Sequence, residues 1–397
     1  MTTIGIYNPV CGDSTAKAFF NQHVIPLLQQ SNHPISNLFS TEREGHAGEI
    51  VKESLETIQG PINVILGSGD GTLHEIINFL SSTEIKGIRT GTPFSGLHFV
   101  LVPCGTANAL YSSLFPPSNP EAITEAKYRL QSVQSFIDGK RVIPLTLAIS
   151  TLSLPPPSKT RPEAIISSVV TSTCLHAAIL KDSEKLRAEM PGIERFKVAA
   201  QQNRLNWCNA HAKLLPAANV GYVQLYDPET KAFIQHPDGD EIVDVYGPFI
   251  YFLSTVNVDR LEPAFRITPL AKDIAPEEAT CDVVIVRPLR DPSLTWDSPE
   301  AREAFVSKLY QVLGDAYKNG AHVDLLYNEK GEIVTEGDGP PVVEYIRCGG
   351  WEWIPDDMDE GSHVLCSDGV ISTIEKGGRV VCTAATPSQG AGFMIYA

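Results

Sequence analysis

A carboxylate set among glycines is the first group in this chain that could do chemistry. It is Asp70, in the run Gly67-Ser68-Gly69-Asp70-Gly71. Glycines let a backbone turn sharply and approach a ligand closely. Where such a turn opens a helix, free N–H groups and the positive dipole end make an anion site. An acid beside such a site suits removal of a proton from an attacking hydroxyl, or holding a cation against phosphates. Asp-Gly is equally a common turn pair, and Asp a common helix cap. Glu75 carries a similar ambiguity: Thr72-Leu73-His74-Glu75 also fits a capping box. Two common nucleotide motifs are absent. No Gly-Lys-Ser/Thr closes the loop, and Thr72 stands where the dinucleotide fingerprint needs its third glycine.

The elements that must position this loop are legible on either side. Ile62 to Leu66 reads as a buried strand, and Leu73, Ile76, Ile77 and Leu80 mark one helix face. Upstream, Ile4 to Tyr7 reads as a strand ending in Asn8-Pro9-Val10-Cys11-Gly12. Ile35 to Phe39 reads as another, ending in Ser40-Thr41-Glu42-Arg43-Glu44-Gly45-His46-Ala47. Downstream, His98 to Val102 ends in Pro103-Cys104-Gly105-Thr106-Ala107-Asn108-Ala109-Leu110. Four strands, each followed by a polar loop and a helix, predict a parallel sheet with helices on both faces. Ligands of such sheets bind at the carboxyl ends of the strands, where all four polar motifs fall.

After residue 142 the alternation stops. Strand-like runs recur at Ile143 to Ser150, Ala164 to Thr173, Ala218 to Tyr226, Tyr246 to Val256, Cys281 to Arg287, Val323 to Tyr327, Ile333 to Thr335 and Val342 to Ile346. Helical stretches interrupt them at Lys181 to Ala200 and Pro299 to Leu313, and Pro155-Pro156-Pro157 marks an exposed loop. The expected class is α/β: an N-terminal parallel-sheet nucleotide-binding domain over 1–142, then a β-rich antiparallel sandwich over 143–397. The stretch from Trp351 to Ala397 reads as extra strands with a turn at Lys376-Gly377-Gly378.

The 397 residues carry a net charge of −16 and a pI near 5.1. This argues against nucleic acid as the main partner and against a membrane held by general basic attraction. The chain runs almost at once into an apolar strand, so no signal peptide is expected. The longest apolar segment, Phe249 to Val258, is too short to span a bilayer. Eight scattered cysteines show no zinc spacing and are expected as reduced, mostly buried thiols in the cytoplasm.

Taken in order, these motifs resemble the diacylglycerol-kinase-type lipid kinases, and among them the sphingosine kinases. The residues that carry the resemblance are Asn8-Pro9 with Gly12, Thr41-Glu42-Arg43 with His46-Ala47, and Gly67 to Gly71 with His74-Glu75 and Asn78. Pro103 with Gly105-Thr106 and Asn108-Ala109-Leu110 follows, then Ser183-Glu184-Lys185 with Arg187 and Arg195-Phe196. The resemblance implies ATP and Mg²⁺, with ATP bound by Asn8, Thr41, Gly67, Ser68, Gly69, Gly71, Glu75 and Thr106. Arg187 and Arg195 would reach its phosphates, arginine's planar fork being suited to them. Asp338 would be a further nucleotide contact. Asp70 would take the proton from the primary hydroxyl of a sphingoid base; metal ligands are not assigned. The second domain would bind the lipid, and the protein would act in the cytoplasm, peripherally at a membrane surface.

Departures from that family bear on the substrate. The aspartates that contact the lipid correspond here to Ala178 and Leu180, with Asp182 out of register and His176 read as a packed core residue. That opens the way to diacylglycerol or ceramide. Asp338-Gly339-Pro340 lacks its acidic third residue, Asp338 is equally a turn aspartate, and Cys11 stands where serine or glycine is usual. Arg187 and Arg195 fit equally a solvated helix face paired with Glu184, Glu189 and Glu194. Other readings are an NAD-kinase-like enzyme, against which the Thr41 to Ala47 and Ser183 to Lys185 segments speak, and a catalytically weak lipid-binding regulator, against which the intact Asp70 loop speaks.

Overall fold

A computed structural model describes residues 2–89, 94–119, 121–154, 163–190, 194–239, 241–385 and 392–397. The chain divides into two units. One comprises Met1–Leu147, Arg260–Pro263 and Thr386–Ala397; the other comprises Ala148–Asp259 and Ala264–Ala385.

In the first unit, strands β1 (Thr2–Tyr7), β2 (Asn37–Ser40), β3 (Ile62–Ser68) and β4 (Leu97–Pro103) are parallel and lie in the order β2-β1-β3-β4. The chain moves outward one way from β1 to β2 and the other way from β1 to β3. The carboxyl ends of β1 and β3 therefore border the crevice where such sheets take ligands. All seven residues of β3 are buried, as a strand covered on both faces must be. Ile65 and Val100 meet Phe20, Val24, Leu28, Val133 and Phe136 on one side. Ile62, Val64 and Leu66 point the other way and are equally covered. Helices His46–Thr57 and Asp70–Ser82 approach closely at Gly48, where a Cβ would stand 2.5 Å from the Cβ of Phe79.

The sheet has two further strands. Met394–Tyr396 pairs parallel with β4, and Val142–Pro144 pairs antiparallel with Met394–Tyr396. Three-residue strands are too short to leave a periodic signature.

The second unit holds an eight-stranded and a six-stranded sheet, both antiparallel where their pairing is described. Their inner faces share one core in which Phe252 packs 5.2 Å from Trp351 and 5.0 Å from Trp353, centroid to centroid. The sandwich expectation is met, while several boundaries move. Strands Ala210–Leu215, Ala232–Gln235 and Val243–Tyr246 were not anticipated. The run from Ala218 contracts to Gln224–Asp227, and of Val323 to Tyr327 only Leu326–Tyr327 is strand, with Val323 and Asp324 ending the helical turn Ala321–Asp324. The helical interruption is two helices, Cys174–Leu186 and Glu194–Asn203, tied by Asn203 Nδ2 donating to Asp182 at 2.8 Å. The first begins at Cys174 rather than Lys181, because its apolar opening reads like the end of the strand before it. Helix Pro299–Ala316 forms as expected, its Ala301 N–H capped by Ser298 Oγ at 3.1 Å. The proline-rich loop falls at 155–162, outside the described residues. Strands Gly350–Pro355, Val364–Ser367, Val370–Thr373 and Arg379–Ala385 join the two sheets.

One buried ion pair braces the eight-stranded sheet. Arg347 Nε donates to Asp282 at 2.9 Å, and its Nη atoms donate to the carbonyls of Leu270 (3.0 Å) and Ile274 (2.6 Å). Burial pushes the Asp282 carboxyl up against the pull of Arg347. Removing one partner strands the other charge in the core. Arg347→Met should therefore cost about 3–5 kcal/mol in urea unfolding, with Asp282→Leu added to Arg347→Met recovering much of that loss.

Candidate active site

The loops after β1, β3 and β4 meet as bare backbone. A Cβ on Gly105 would stand 2.4 Å from Gly69 Cα, and one on Gly12 would stand 2.3 Å from the Cys104 carbonyl oxygen. Gly12 also has φ +53°, a conformation that favours glycine. A Cβ on Gly67 would strike the Phe20 ring at 2.2 Å. Hydrogen bonds fix the same junction. Asn8 N–H donates to the Gly67 carbonyl (3.0 Å) and Cys104 N–H to the Ser68 carbonyl (3.1 Å). Asn108, in the left-handed region at φ 51°, clasps Gly105 with both ends of its amide. Its Oδ1 accepts from Gly105 N–H at 2.9 Å and its Nδ2 donates to the Gly105 carbonyl at 2.8 Å.

Gly71 is different. Nothing lies within 4 Å of a Cβ built there, and the residue is exposed on the first turn of its helix. Packing within this unit does not require a glycine at 71.

Asp70 is the first residue of helix Asp70–Ser82, whose capping residue is Gly69. Its carboxylate reaches across to the helix after β4, accepting from Ala109 N–H at 2.7 Å and Leu110 N–H at 3.2 Å. Asp70 thus caps helix Ala109–Leu114. A carboxylate oxygen can accept from more than one donor. A small pocket beside it is lined by Ser68, Gly69, Asp70, Asn108 and Tyr111, with Leu66 and Leu73 beneath.

Glu75 repeats the arrangement one turn on. Its Oε1 accepts from Ala47 N–H at 3.1 Å, at the start of helix His46–Thr57. The capping box anticipated for Thr72 and Glu75 does not form. Thr72 bonds the Ser68 hydroxyl, and Glu75 caps a neighbouring helix. Burial raises the Glu75 carboxyl above its ordinary value, partly offset by the backbone N–H groups of Gly45, Ala47 and Gly48. Two carboxylates on one helix therefore hold the starts of two others at the same sheet edge.

The remaining sequence candidates of this unit lie at that edge. Thr41 is buried, its N–H donating to the Tyr7 carbonyl at 3.0 Å; Ser68 is buried; Thr106 is exposed. Burial drives the Cys11 thiol up to about 12, helped by Cys104 nearby. The sequence motif named Asn108 without a role and left Tyr111 out; the asparagine three residues after Gly105 was the available clue.

The other three candidates belong to the second unit. Arg187 pairs with Glu184 at 3.2 Å on an exposed helix end, the arrangement expected of a solvated face. Arg195 is 6% exposed, with its guanidinium over the Phe196 ring at 4.5 Å. Burial, then the like charge of Arg187, holds its pKa below the usual range. Asp338 is exposed beside Gly339, whose missing Cβ leaves room for the Tyr327 carbonyl. Leu180 packs near Val364, Cys366 and Ile371, while His176 Nδ1 meets Ser172 Oγ at 2.7 Å.

Among the described residues no three His, Cys, Asp or Glu side chains converge as a metal cage. Mg²⁺ commonly arrives on a triphosphate and needs only one or two protein carboxylates; Asp70 is the carboxylate at this pocket.

Residues 3–136 match the family described as the diacylglycerol kinase catalytic domain. Human Sphingosine kinase 2 is 34% identical over 106 residues, which are 26% of this chain and 15% of that protein. Sphingosine kinase 1 of Arabidopsis thaliana is 26% identical over 243 residues, 61% of this chain and 45% of that protein. The chain thus spans less than half of either relative. A solved structure from Bacillus anthracis str. Sterne, assigned as a diacylglycerol kinase, shares the fold at TM-score 0.52 and 13% identity, covering 100% of this chain and 96% of that one. Residues 3–136 are thus similar to a catalytic domain of the diacylglycerol-kinase type, and parts of the chain are similar to sphingosine kinases.

Two outcomes follow for stability. Gly105→Ala should cost about 1–3 kcal/mol, since a backbone atom must move, whereas Gly71→Ala should be neutral or stabilise by up to about 1 kcal/mol. Urea midpoints of both variants check this. For Glu75, the folded state binds its proton more tightly than the unfolded chain, so its contribution to stability falls as pH rises from the ordinary glutamate range through the raised folded value. The melting-temperature advantage of the native protein over Glu75→Gln should therefore shrink between pH 4 and 7.

Proposed function

We propose that this chain transfers the γ-phosphoryl group of ATP to the primary hydroxyl of a lipid, with a sphingoid base as the acceptor. The observation that carries the reading is the junction at β1 and β3. It is a backbone-lined crevice with one glycine, Gly71, open where no internal packing asks for it, and one carboxylate, Asp70, alongside. Backbone N–H groups at the start of helix Asp70–Ser82 would receive the phosphates, and Gly71 leaves room for their approach. Asn8, Thr41, Gly67, Ser68, Gly69, Glu75 and Thr106 shape the surrounding edge. Mg²⁺ bound with the nucleotide would neutralise charge on the phosphates, with Asp70 the carboxylate available to it. Asp70, pinned by two N–H groups, is oriented to accept the hydroxyl proton as the oxygen attacks. Arg187 and Arg195, two cations of the second unit, are the phosphate ligands this reading assigns there, with Asp338 a further nucleotide contact.

The sphingoid-base assignment draws on the named activities of the relatives. One observation favours a second acceptor, diacylglycerol or ceramide. Ala178 and Leu180 offer no carboxylate to a lipid amine, and Asp182 is already held by Lys185 and Asn203. No helix among the described residues is long and apolar enough to cross a membrane; the lipid would be met peripherally at a membrane surface, by a protein acting in the cytoplasm.

The test is label transfer from ATP with Mg²⁺ to sphingosine, phytosphingosine, ceramide or diacylglycerol in mixed micelles. One lipid should be labelled, and Asp70→Asn should lower the rate by about 10²- to 10⁴-fold. Gly71→Ala, stable as above, should weaken ATP binding. Undiminished transfer by Asp70→Asn would remove Asp70 as the base. Lipid binding without any transfer would favour a regulatory protein.

A further inference from the structure

We propose that Arg129 is a positioning residue for the nucleotide site, locking the loop after β4 against the helix that follows β1; the proposal rests on the kinase reading above. Arg129 ends the short helix Ala126–Arg129 and comes from outside every motif of the strand–loop–helix pattern. Its guanidinium uses three features at once. The face lies over the Phe19 ring, 3.8 Å from the centroid. Nε donates to the Pro103 carbonyl at 3.2 Å, and Nη2 donates to Cys104 Sγ at 3.3 Å. Its charge also helps hold the Asp13 carboxyl below the ordinary range, after the larger effect of the Thr15 hydroxyl.

These contacts sit directly behind the backbone junction. The Cys104 carbonyl fills the space that a Cβ on Gly12 would need, and Gly105 meets Gly69. A shift of Cys104 must therefore move the first and third loops together. Arg129 touches no position assigned to ATP, lipid or the reacting atoms. It acts through Pro103 and Cys104 on the Gly105–Thr106 backbone. Lysine cannot substitute, because an ammonium has no planar face to stack while donating in two directions.

Binding of a fluorescent ATP analogue to Arg129→Ala, Arg129→Lys and the native chain tests this, together with KM for ATP and for the lipid. Arg129→Ala should weaken nucleotide binding at least tenfold and raise KM for ATP in proportion. KM for the lipid should change less than twofold, and Arg129→Lys should restore less than a third of the loss. Should the alanine variant fold poorly, the lysine variant, whose stem still covers Phe19, decides the matter. Native-like nucleotide affinity in either variant would overturn the role of Arg129 alone. An equal rise in both KM values, with a lowered melting temperature, would reduce Arg129 to a general structural residue. No nucleotide binding by the native chain would overturn the kinase reading and this proposal together.

Discussion

The first unit depends on a contact that no side chain makes. Where Gly69 faces Gly105, and Gly12 faces the Cys104 carbonyl, three loops touch through main-chain atoms only. Close packing of backbone leaves no slack for a methyl group. It also leaves polar N–H groups of loop and helix at one place, where they must be satisfied. Asp70 and Glu75 meet part of that demand from a single helix. The geometry of the crevice and the stability of its walls are consequently one problem, solved by the same few residues.

Asp70 shows how a structural role and the proposed chemical one can share a single residue. A helix-capping carboxylate is held in one rotamer by the amides it serves, and a base needs that kind of fixed orientation. The cap and the base are not competing descriptions, because each carboxylate oxygen accepts more than one donor. Glu75 shows the other outcome, a half-buried acid whose described bonds are backbone N–H groups at the start of a neighbouring helix.

Much of this was legible in the residues, and the exceptions have physical causes. β1, β3 and β4 are almost wholly buried runs with strong punctuation, so their loops can be placed on one edge from the residues alone. The partner that Glu75 caps could not be, since a capping box and a cap on a neighbouring helix share the same local letters. Arg129 left no trace, because its meaning lies in Phe19, Pro103 and Cys104, distant in sequence. In the sandwich, the edge strand Ala232–Gln235 is mostly exposed, which blurs its period, and the edge strand Val243–Tyr246 alternates but is only four residues long. Arg195 shows why a charge run is a poor guide. Its neighbours in sequence suggested a solvated face, yet its guanidinium lies against an aromatic ring.

The strand at Met394–Tyr396 has a consequence for how the protein is made. It lies between β4 and Val142–Pro144, and Ser132 Oγ donates to the Tyr396 carbonyl at 3.1 Å. A ribosome delivers the glycine loop early, but the sheet that supports it cannot close until residue 396 emerges, after the whole β-sandwich has been translated. Nascent chains usually mature one domain at a time from the amino end. Here the earlier-born half must wait, with an open flank of β4, for a segment synthesised some 250 residues later.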